Sequence, residues 1–315
     1  MLAAMTAAVA LLATAANAQQ AAQGFAVERF SPAPAGAGWL AMDALDMGGP
    51  PGGAVQLTTS WAHRPLVVTS ADGTHELALV SDQATADFGV AATWGRLRLS
   101  LDFPMPLVVA GASGAIDGYR LTAPAVDPGN NPDSIAEGHL GLTARLYGAS
   151  DGALRLGASA ELVLPTDASV RADYITDGTP RAFLRVLAAG DVGSYRYAAN
   201  LGVHVRPLDD WPAPGSPHGS EVVFGAGAAR AFAAGAGHLL VVGPEVFGET
   251  ALRALFGKTT TGVEGLLSAR YEETGEGTRW RFKLGAGGGL DAQFGAPQWR
   301  VVAAAELFGS ARASP

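Results

Sequence analysis

The feature that most constrains this chain is a set of long segments in which apolar and polar residues alternate. Between residues 137 and 206 four such segments follow one another. In the first, Leu140 and Leu142 fall on one parity, and Thr143 and Arg145 fall on the other. A period of two is typical of a β-strand with one apolar and one polar face. The runs are about 10 to 13 residues long, whereas soluble strands cluster near 5 to 6 and tilted membrane strands need about 9 to 11. Their length favours strands that cross a bilayer.

Similar runs continue along most of the chain. We expect twelve strands, at roughly residues 54–70, 74–93, 96–108, 136–148, 153–165, 180–190, 194–206, 219–232, 238–249, 259–272, 278–291 and 297–308. The predicted fold is therefore all-β: an antiparallel up-and-down transmembrane β-barrel of about 12 strands. A soluble β-sandwich also alternates apolar and polar faces, so parity alone does not separate the two folds.

The connections and the aromatic residues favour the barrel. Short connections fall at every second position, as do the periplasmic turns of outer-membrane barrels, and both chain ends are therefore expected in the periplasm. Two of the intervening connections, residues 71–73 and 292–296, are also short. Tyrosine and tryptophan cluster beside the short turns, as in the aromatic girdles of membrane barrels; they are Trp94, Tyr147, Tyr195, Tyr197, Tyr271 and Trp280. Trp299 belongs to the other rim.

The first 18 residues are uncharged and apolar, and they end in Ala16-Asn-Ala18, a small-x-small cleavage pattern. We interpret residues 1–18 as a cleaved signal peptide; an ordinary N-terminal helix is the alternative. Residues 19–53 are rich in Pro and Gly and are expected to be irregular, residues 54–308 form the barrel, and residues 309–315 form a tail. No later apolar stretch is long enough for a transmembrane helix.

Composition limits the partners of the chain. The sequence has no cysteine, which excludes disulfides and thiolate metal sites, and its net charge of −8 argues against a nucleic-acid partner. The histidines have no metal-binding spacing, and no Gly-x-Ser-x-Gly motif occurs. Gly285 to Gly289 lack the Lys-Ser/Thr pair of a phosphate-binding loop. No catalytic residue, metal ligand or cofactor is predicted.

Several segments resemble the N-terminal outer-membrane barrel of large OmpA-like proteins from myxobacteria and their relatives. Those that carry the resemblance include Ala26–Gly36, His63–Val68, Trp94–Leu99, Tyr197–Gly202 and Gly219–Gly225. The resemblance implies a barrel in the outer membrane, in contact with its lipid. It also implies that the last strand, through Phe308, is recognised by the barrel assembly machinery, although seven residues follow Phe308. Members of that family often carry a peptidoglycan-binding domain after the barrel; no segment of this sequence resembles that domain, so peptidoglycan binding is not predicted.

The polar parity of the strands defines a group of candidate lumen-lining residues: Arg96, Arg98, His139, Arg145, Arg155, Glu161, Arg181, Arg185, Arg196, His204, Arg279, Arg281 and Lys283. Arg206 and Arg300 share that parity. The expected partners of these cations are Glu137, Glu161, Glu221, Glu245, Glu264 and Glu306. The opposite parity places Leu142, Leu156, Leu184 and Leu201 against lipid near mid-membrane.

Two states of the lumen remain open at this point. Paired side chains could plug the barrel, or unpaired arginines could line a passage that favours anions. We therefore predict a non-catalytic outer-membrane barrel, either structural or a narrow pore for small polar or anionic solutes. The alternatives are a secreted β-sandwich binding module and a barrel lipid hydrolase that uses His139.

Overall fold

A computed structural model describes residues 20–21, 24–127, 129, 135–167, 169–208, 219–275, 277–291 and 295–310. The strands in these residues are β1 (Gln20–Ala21), β2 (Gly52–Thr69), β3 (Glu76–Trp94), β4 (Leu97–Ala110), β5 (Gly114–Ile116), β6 (Tyr119–Leu121), β7 (Glu137–Tyr147), β8 (Arg155–Pro165), β9 (Arg181–Val192), β10 (Tyr195–Val205), β11 (Glu221–Ala233), β12 (His238–Ala251), β13 (Thr261–Glu273), β14 (Arg279–Asp291) and β15 (Trp299–Ser310). Short 3₁₀ helices span Ser169–Asp173 and Leu252–Ala254. No helix in the described residues is long and apolar enough to cross a membrane.

Twelve of these strands form one closed antiparallel barrel. This confirms the predicted fold, and the β-sandwich alternative is wrong. Each strand pairs with the next in the chain, and the short β5–β6 hairpin is set aside between β4 and β7. The barrel closes where β15 pairs with β2, from Trp299 opposite His63 to Ser310 opposite Gly52. Closure removes the open sheet edge that a bilayer could not satisfy. The predicted signal peptide lies outside the described residues.

The two ends of the barrel differ in their connections. At the turn end, where β2 begins and β15 stops, the strands are joined by residues 95–96, 148–154, 193–194, 234–237 and 274–278. At the loop end the connections are 70–75, 111–136, 166–180, 206–220, 252–260 and 292–298. Four of the six loop-end connections are longer than any connection at the turn end; 70–75 and 292–298 are not. Short turns opposite longer loops are the arrangement of bacterial outer-membrane barrels, so the turn end corresponds to the periplasmic side.

The outer face of the barrel is apolar, as a lipid-facing surface requires. Leu142, Leu184 and Leu201 point outward and are 46%, 51% and 56% exposed. Exposed aromatic residues border this surface near the turns, among them Trp94, Tyr147, Tyr195, Tyr271 and Trp280. The closed sheet, its even number of strands, the apolar band and the aromatic border together define a protein of the outer membrane.

Leu156 is on the expected face but not at the expected depth. It is exposed on the outer surface, yet it is the second residue of β8 and lies opposite Tyr147. Tyr147 belongs to the aromatic border at the turn end. Leu156 is therefore close to the interface, while Leu142, the central residue of β7, lies closer to the middle of the sheet. The expectation that both sit near mid-membrane is wrong for Leu156.

The Pro- and Gly-rich segment before β2 does not stay outside the barrel. We call residues 24–49 the plug, because they pass through the lumen from the loop end to the turn end. The plug begins beside the 166–180 connection, where Phe25 meets Tyr174 edge-on at 5.9 Å, and it is followed by β2 at the turn end. Its large apolar side chains are buried against the inner wall; they include Phe30, Trp39, Leu40, Met42, Leu45 and Met47. Sequence analysis predicted an irregular segment here but not its position.

Arginine on the lipid face tests the orientation and the depth of the strands. Leu142→Arg places a charge near the bilayer midplane and should destabilise the folded barrel by about 2 to 4 kcal/mol, whereas Leu156→Arg, near the interface, should cost about 0 to 1 kcal/mol. Urea titration of both variants refolded into lipid vesicles measures the difference. Equal costs, or a larger cost for Leu156→Arg, would contradict the assignment of depth.

Candidate functional site

The interior of the barrel is the candidate site, because the charged side chains gather there. The structure places twelve of the thirteen candidate residues on the inner wall, buried or half-buried: Arg98, His139, Arg145, Arg155, Glu161, Arg181, Arg185, Arg196, His204, Arg279, Arg281 and Lys283. Arg96 is the exception. It lies in the exposed 95–96 turn, where Gly95 has a positive φ of 58°, and it donates to the Leu146 carbonyl at 3.2 Å. The prediction that Arg96 lines the lumen is wrong because the strand has already ended there.

Most of the inward cations pair with carboxylates of the wall itself. Arg185 meets Glu161 at 2.8 Å, and Arg196 meets Glu272 at 2.6 Å. The other wall pairs are Arg155–Asp191 (3.2 Å), Arg281–Glu272 (2.9 Å), Arg281–Glu306 (3.2 Å), Lys283–Glu306 (3.1 Å), Arg300–Glu264 (2.8 Å) and Arg181–Glu137. Burying a charge is costly unless it is paired and hydrogen-bonded, so these pairs allow the wall to carry its cations.

Carboxylates of the plug add two further pairs. Asp43 lies 2.6 Å from Arg98, and Glu28 lies 2.7 Å from Arg300. In the opposite sense, Arg29 of the plug contacts Glu221 and Glu249 of the wall, each at 3.0 Å. Sequence analysis missed Glu28, Arg29 and Asp43 because the plug has no alternation. The signal that could have revealed them is the combination of charged residues with large apolar side chains in a Pro- and Gly-rich segment, which differs from a solvated linker.

The wall also holds the plug through its backbone. Glu245, which was expected to pair with a cation, accepts hydrogen bonds from the backbone N–H groups of Leu40 and Ala41 at 3.2 and 2.8 Å. Further contacts are Gly36 N–H to Glu306 (2.6 Å), Arg270 to Gly38 O (2.6 Å), Lys283 to Trp39 O (3.1 Å) and Arg145 to Met47 O (2.7 Å). These bonds satisfy the polar groups of an irregular segment that is shielded from water.

Glycines of the wall leave room for the side chains of the plug. A Cβ atom at Gly225 would lie 2.4 Å from the Met42 side chain, and one at Gly285 would lie 2.5 Å from Leu40. Gly157 faces Leu45 and Gly227 faces Trp39, at 2.8 and 3.0 Å from the added atom. The glycine-rich run in β14, which the sequence analysis distinguished from a phosphate-binding loop, therefore forms part of the wall surface that contacts the plug. Four wall positions that match four plug side chains indicate that the two surfaces fit together.

The lumen histidines are held by carboxylates. Nδ1 of His139 lies 3.0 Å from Glu161, and its Nε2 lies 3.5 Å from Glu137. His204, Glu221 and Glu249 place potential ligand atoms within 4.8 Å of one another, which resembles a metal site. Arg29 contacts both glutamates, and Arg206 contacts Glu221 at 3.1 Å, so a metal ion would have to displace two guanidinium groups. The donor set fits an ion-pair cluster better than a metal centre.

At the loop end, apolar residues from the plug, the β2–β3 hairpin and the loops form a cap. This loop-end cluster consists of Phe25, Val27, Leu66, Val68, Leu79, Val80, Val109, Ile116, Leu121, Val126, Tyr174 and Leu208. Beside it the fully buried carboxylate of Asp177 accepts from Arg206 at 2.6 Å and from the backbone N–H of Ala26 at 2.8 Å. Burial alone would raise the pKa of Asp177, but Arg206, Arg181 and the Ala26 N–H outweigh it and hold that pKa well below its usual value. Asp177 thus joins the start of the plug to the barrel.

Replacing Asp177 tests this junction. Asp177→Asn leaves the buried Arg206 with one carboxylate fewer and should reduce the free energy of unfolding by about 3 to 5 kcal/mol at pH 7. Since the folded pKa of Asp177 is lowered, its contribution is complete above the unfolded value near 4 and is lost as pH falls toward the folded value. Urea titrations in detergent should therefore show a large difference between wild type and Asp177→Asn at pH 7 and a smaller one at pH 3. A difference that does not change with pH would contradict the ionised pair.

Comparisons of the sequence and the fold with known proteins identify no family for this chain. No protein-family model matches the chain, and no curated protein matches it. Among solved structures, the β-domain of the Bordetella autotransporter BrkA is 12% identical, with 82% of this chain and 99% of that chain covered and a TM-score of 0.41. LpxR from Salmonella typhimurium is 11% identical over 80% and 99% of the two chains, with a TM-score of 0.38. The outer-membrane protein opdK from Pseudomonas aeruginosa is 10% identical over 83% and 99%, with a TM-score of 0.30. Likenesses this distant carry no argument about function, and the resemblance to OmpA-like proteins of myxobacteria stays a prediction.

Proposed function

We propose that this protein is a non-catalytic outer-membrane barrel whose lumen is closed by its own N-terminal segment. Its role is structural, and it does not act as an open pore. The observation that carries the proposal is the plug: residues 24–49 run along the lumen and are bonded to the wall by ion pairs and backbone hydrogen bonds. Of the two states left open by the sequence, the plugged barrel has the support of these contacts.

The charge pairing also argues against an anion-selective passage. Such a passage needs cations that are free to meet the solute. Arg98, Arg281 and Lys283, three of the most buried candidates, each contact at least one carboxylate. The arginines that could have attracted anions therefore contribute to the cohesion of the barrel.

The geometry of the histidines supports the absence of catalysis. A general base must reach the hydroxyl or water that it activates. In His139 one ring nitrogen faces Glu161 and the other faces Glu137, so neither is directed at a nucleophile. His204 stacks on Phe183 with ring centroids 3.8 Å apart, and its Nδ1 faces Glu221 and Glu249. Both histidines fit the role of buried partners in ion-pair clusters.

Outer-membrane lipid is the partner that the apolar surface requires. For the barrel assembly machinery, we infer that any recognition of Phe308 precedes barrel closure. In the folded barrel the Phe308 ring lies beneath Arg279 and Arg281, at 4.5 and 4.1 Å from their guanidinium carbons, and both arginines belong to the inner wall. These contacts cover part of the ring once the barrel has closed.

Planar bilayer recordings test the plugged state. Wild-type protein should give no discrete ion conductance, because the plug obstructs the lumen. Asp43→Lys places two cations together at the Arg98 contact and should produce conductance steps as the plug is displaced. The double variant Asp43→Lys with Arg98→Glu restores the opposite charges and should be silent again.

Asp43→Asn serves as the matched control, since it keeps the shape of the side chain and removes only its charge. It should open the barrel less often than Asp43→Lys does. Steady, discrete conductance by the wild-type protein would overturn the proposal and favour the narrow pore. Lipid hydrolysis by the wild type that His139→Ala abolishes would instead support the hydrolase alternative.

A further inference from the structure

The plug runs through the barrel in one direction, which its contacts with the wall define. Arg29 contacts Glu221, the first residue of β11 at the loop end, at 3.0 Å. Further along the chain, the carbonyl of Met47 accepts a hydrogen bond at 2.7 Å from Arg145, which lies two residues before the turn end of β7. The chain that precedes the plug therefore leaves the lumen at the loop end.

The start of the plug is bonded to a loop as well as to the wall. The backbone N–H of Val27 donates to the Tyr174 carbonyl at 3.1 Å, and the Gly24 carbonyl accepts a hydrogen bond from Arg171. A Cβ atom at Gly24 would overlap the backbone of Arg171, so glycine permits this close approach. Tyr174 and Arg171 belong to the 166–180 connection at the loop end. These contacts fix the place where the chain emerges.

The short strand β1, before the plug, is held at the same end of the barrel. It pairs in parallel with β6, and Gln20 lies opposite Tyr119. β6 belongs to the β5–β6 hairpin of the 111–136 connection. Leu121 of β6 is buried in the loop-end cluster together with Phe25 of the plug. The hairpin thus contacts both the plug and the strand that precedes it.

The position of β1 bears on the side of the membrane that each part of the chain reaches. The expectation that both chain ends lie in the periplasm fits Gly52 and Ser310, since β2 begins and β15 stops at the turn end. Gln20 and Gly24 lie at the opposite end of the barrel. That expectation counted only the strands, and the plug adds one more crossing of the membrane to their twelve.

We propose that the barrel carries its own N-terminal segment across the outer membrane and presents it on the cell surface, docked on the β5–β6 hairpin. The turn end corresponds to the periplasmic side, so β1 at the loop end faces the exterior. Addition of a strand to a sheet edge is a common way to hold an extended segment, because the backbone hydrogen bonds supply the affinity. The inference rests on the proposed plugged state, since the plug is the segment that leads to the surface.

Antibody binding to intact cells tests the side of the membrane. One short polar epitope is inserted in the whole chain after Gln19, at Gly73 or at Gly235; the first insertion leaves the cleavage pattern Ala16-Asn-Ala18 unchanged. Gly73 and Gly235 are matched controls, because both are exposed turn glycines with positive φ, at the loop end and the turn end respectively. Intact cells should bind the antibody when the epitope follows Gln19 or is at Gly73. With the epitope at Gly235, binding should require permeabilisation of the outer membrane.

A disulfide tests the docking on the hairpin, since the sequence has no cysteine of its own. Gln20→Cys with Tyr119→Cys joins two positions that are opposite each other in neighbouring strands. Neighbouring strands lie about 4.8 Å apart, within the range of about 4.4 to 6.8 Å between the Cα atoms of a disulfide. Oxidation of the purified protein in detergent should cross-link this pair, as detected by mass spectrometry of the digested protein. Gln20→Cys with Gly235→Cys, at opposite ends of the barrel, should not cross-link.

An epitope after Gln19 that is bound only in permeabilised cells would overturn the proposal. Binding to intact cells at Gly235 but not at Gly73 would also overturn it, because the loop end would then face the periplasm. Failure of the Gln20–Tyr119 pair to cross-link would refute the docking. If the insertion after Gln19 prevents folding, labelling of Gln20→Cys in intact cells by a membrane-impermeant maleimide should succeed, and its failure would refute the surface location. In the bilayer recordings, a silent wild type whose N-terminal epitope is periplasmic would refute only this inference, whereas a conducting wild type would refute the plugged state.

Discussion

Pairing of guanidinium and ammonium groups with carboxylates inside the lumen is the interaction on which the rest of this structure depends. Leaving a buried charge without a partner is strongly destabilising, by about 3 to 5 kcal/mol when one member of a pair is removed. The wall supplies many of the carboxylates itself, such as Glu272 and Glu306, which pair with Arg281. Arg98, in contrast, pairs with Asp43 of the plug. The plug and the wall therefore form one electrostatic unit, and neither satisfies its charges alone.

The same pairing explains why the irregular segment can lie in the lumen. An irregular backbone has no ladder to satisfy its N–H and C=O groups, and inside a membrane it is tolerated only where protein or water does so. Glu245, Arg270 and Lys283 of the wall bond directly to backbone atoms of the plug. Glycines of the wall add steric room, as at Gly225, where a side chain would collide with Met42. Charge, hydrogen bonding and shape thus fix the same segment in the same place.

In a closed lumen, the inward arginines stabilise the fold and do not form a path for anions. As sequence features they suggested a route for anions, whereas in the folded barrel most of them contact a carboxylate. Arg145 instead donates to the Met47 carbonyl, and Arg279 lies over the Phe308 ring.

The sequence by itself determined the strands, the outward face and much of the inner charge, because strand alternation is a local property with a period of two residues. Leu142 and Arg145 could be assigned to opposite faces without any knowledge of the neighbouring strands. Only the tertiary structure decided that residues 24–49 enter the lumen and that Arg98 meets Asp43, 55 positions away in the chain. Such contacts form across a closed barrel between residues that share no local pattern. The alternation of the sequence therefore cannot predict them. The depth of Leu156 and the exposure of Arg96 were decided in the same way, by where the sheet ends in space.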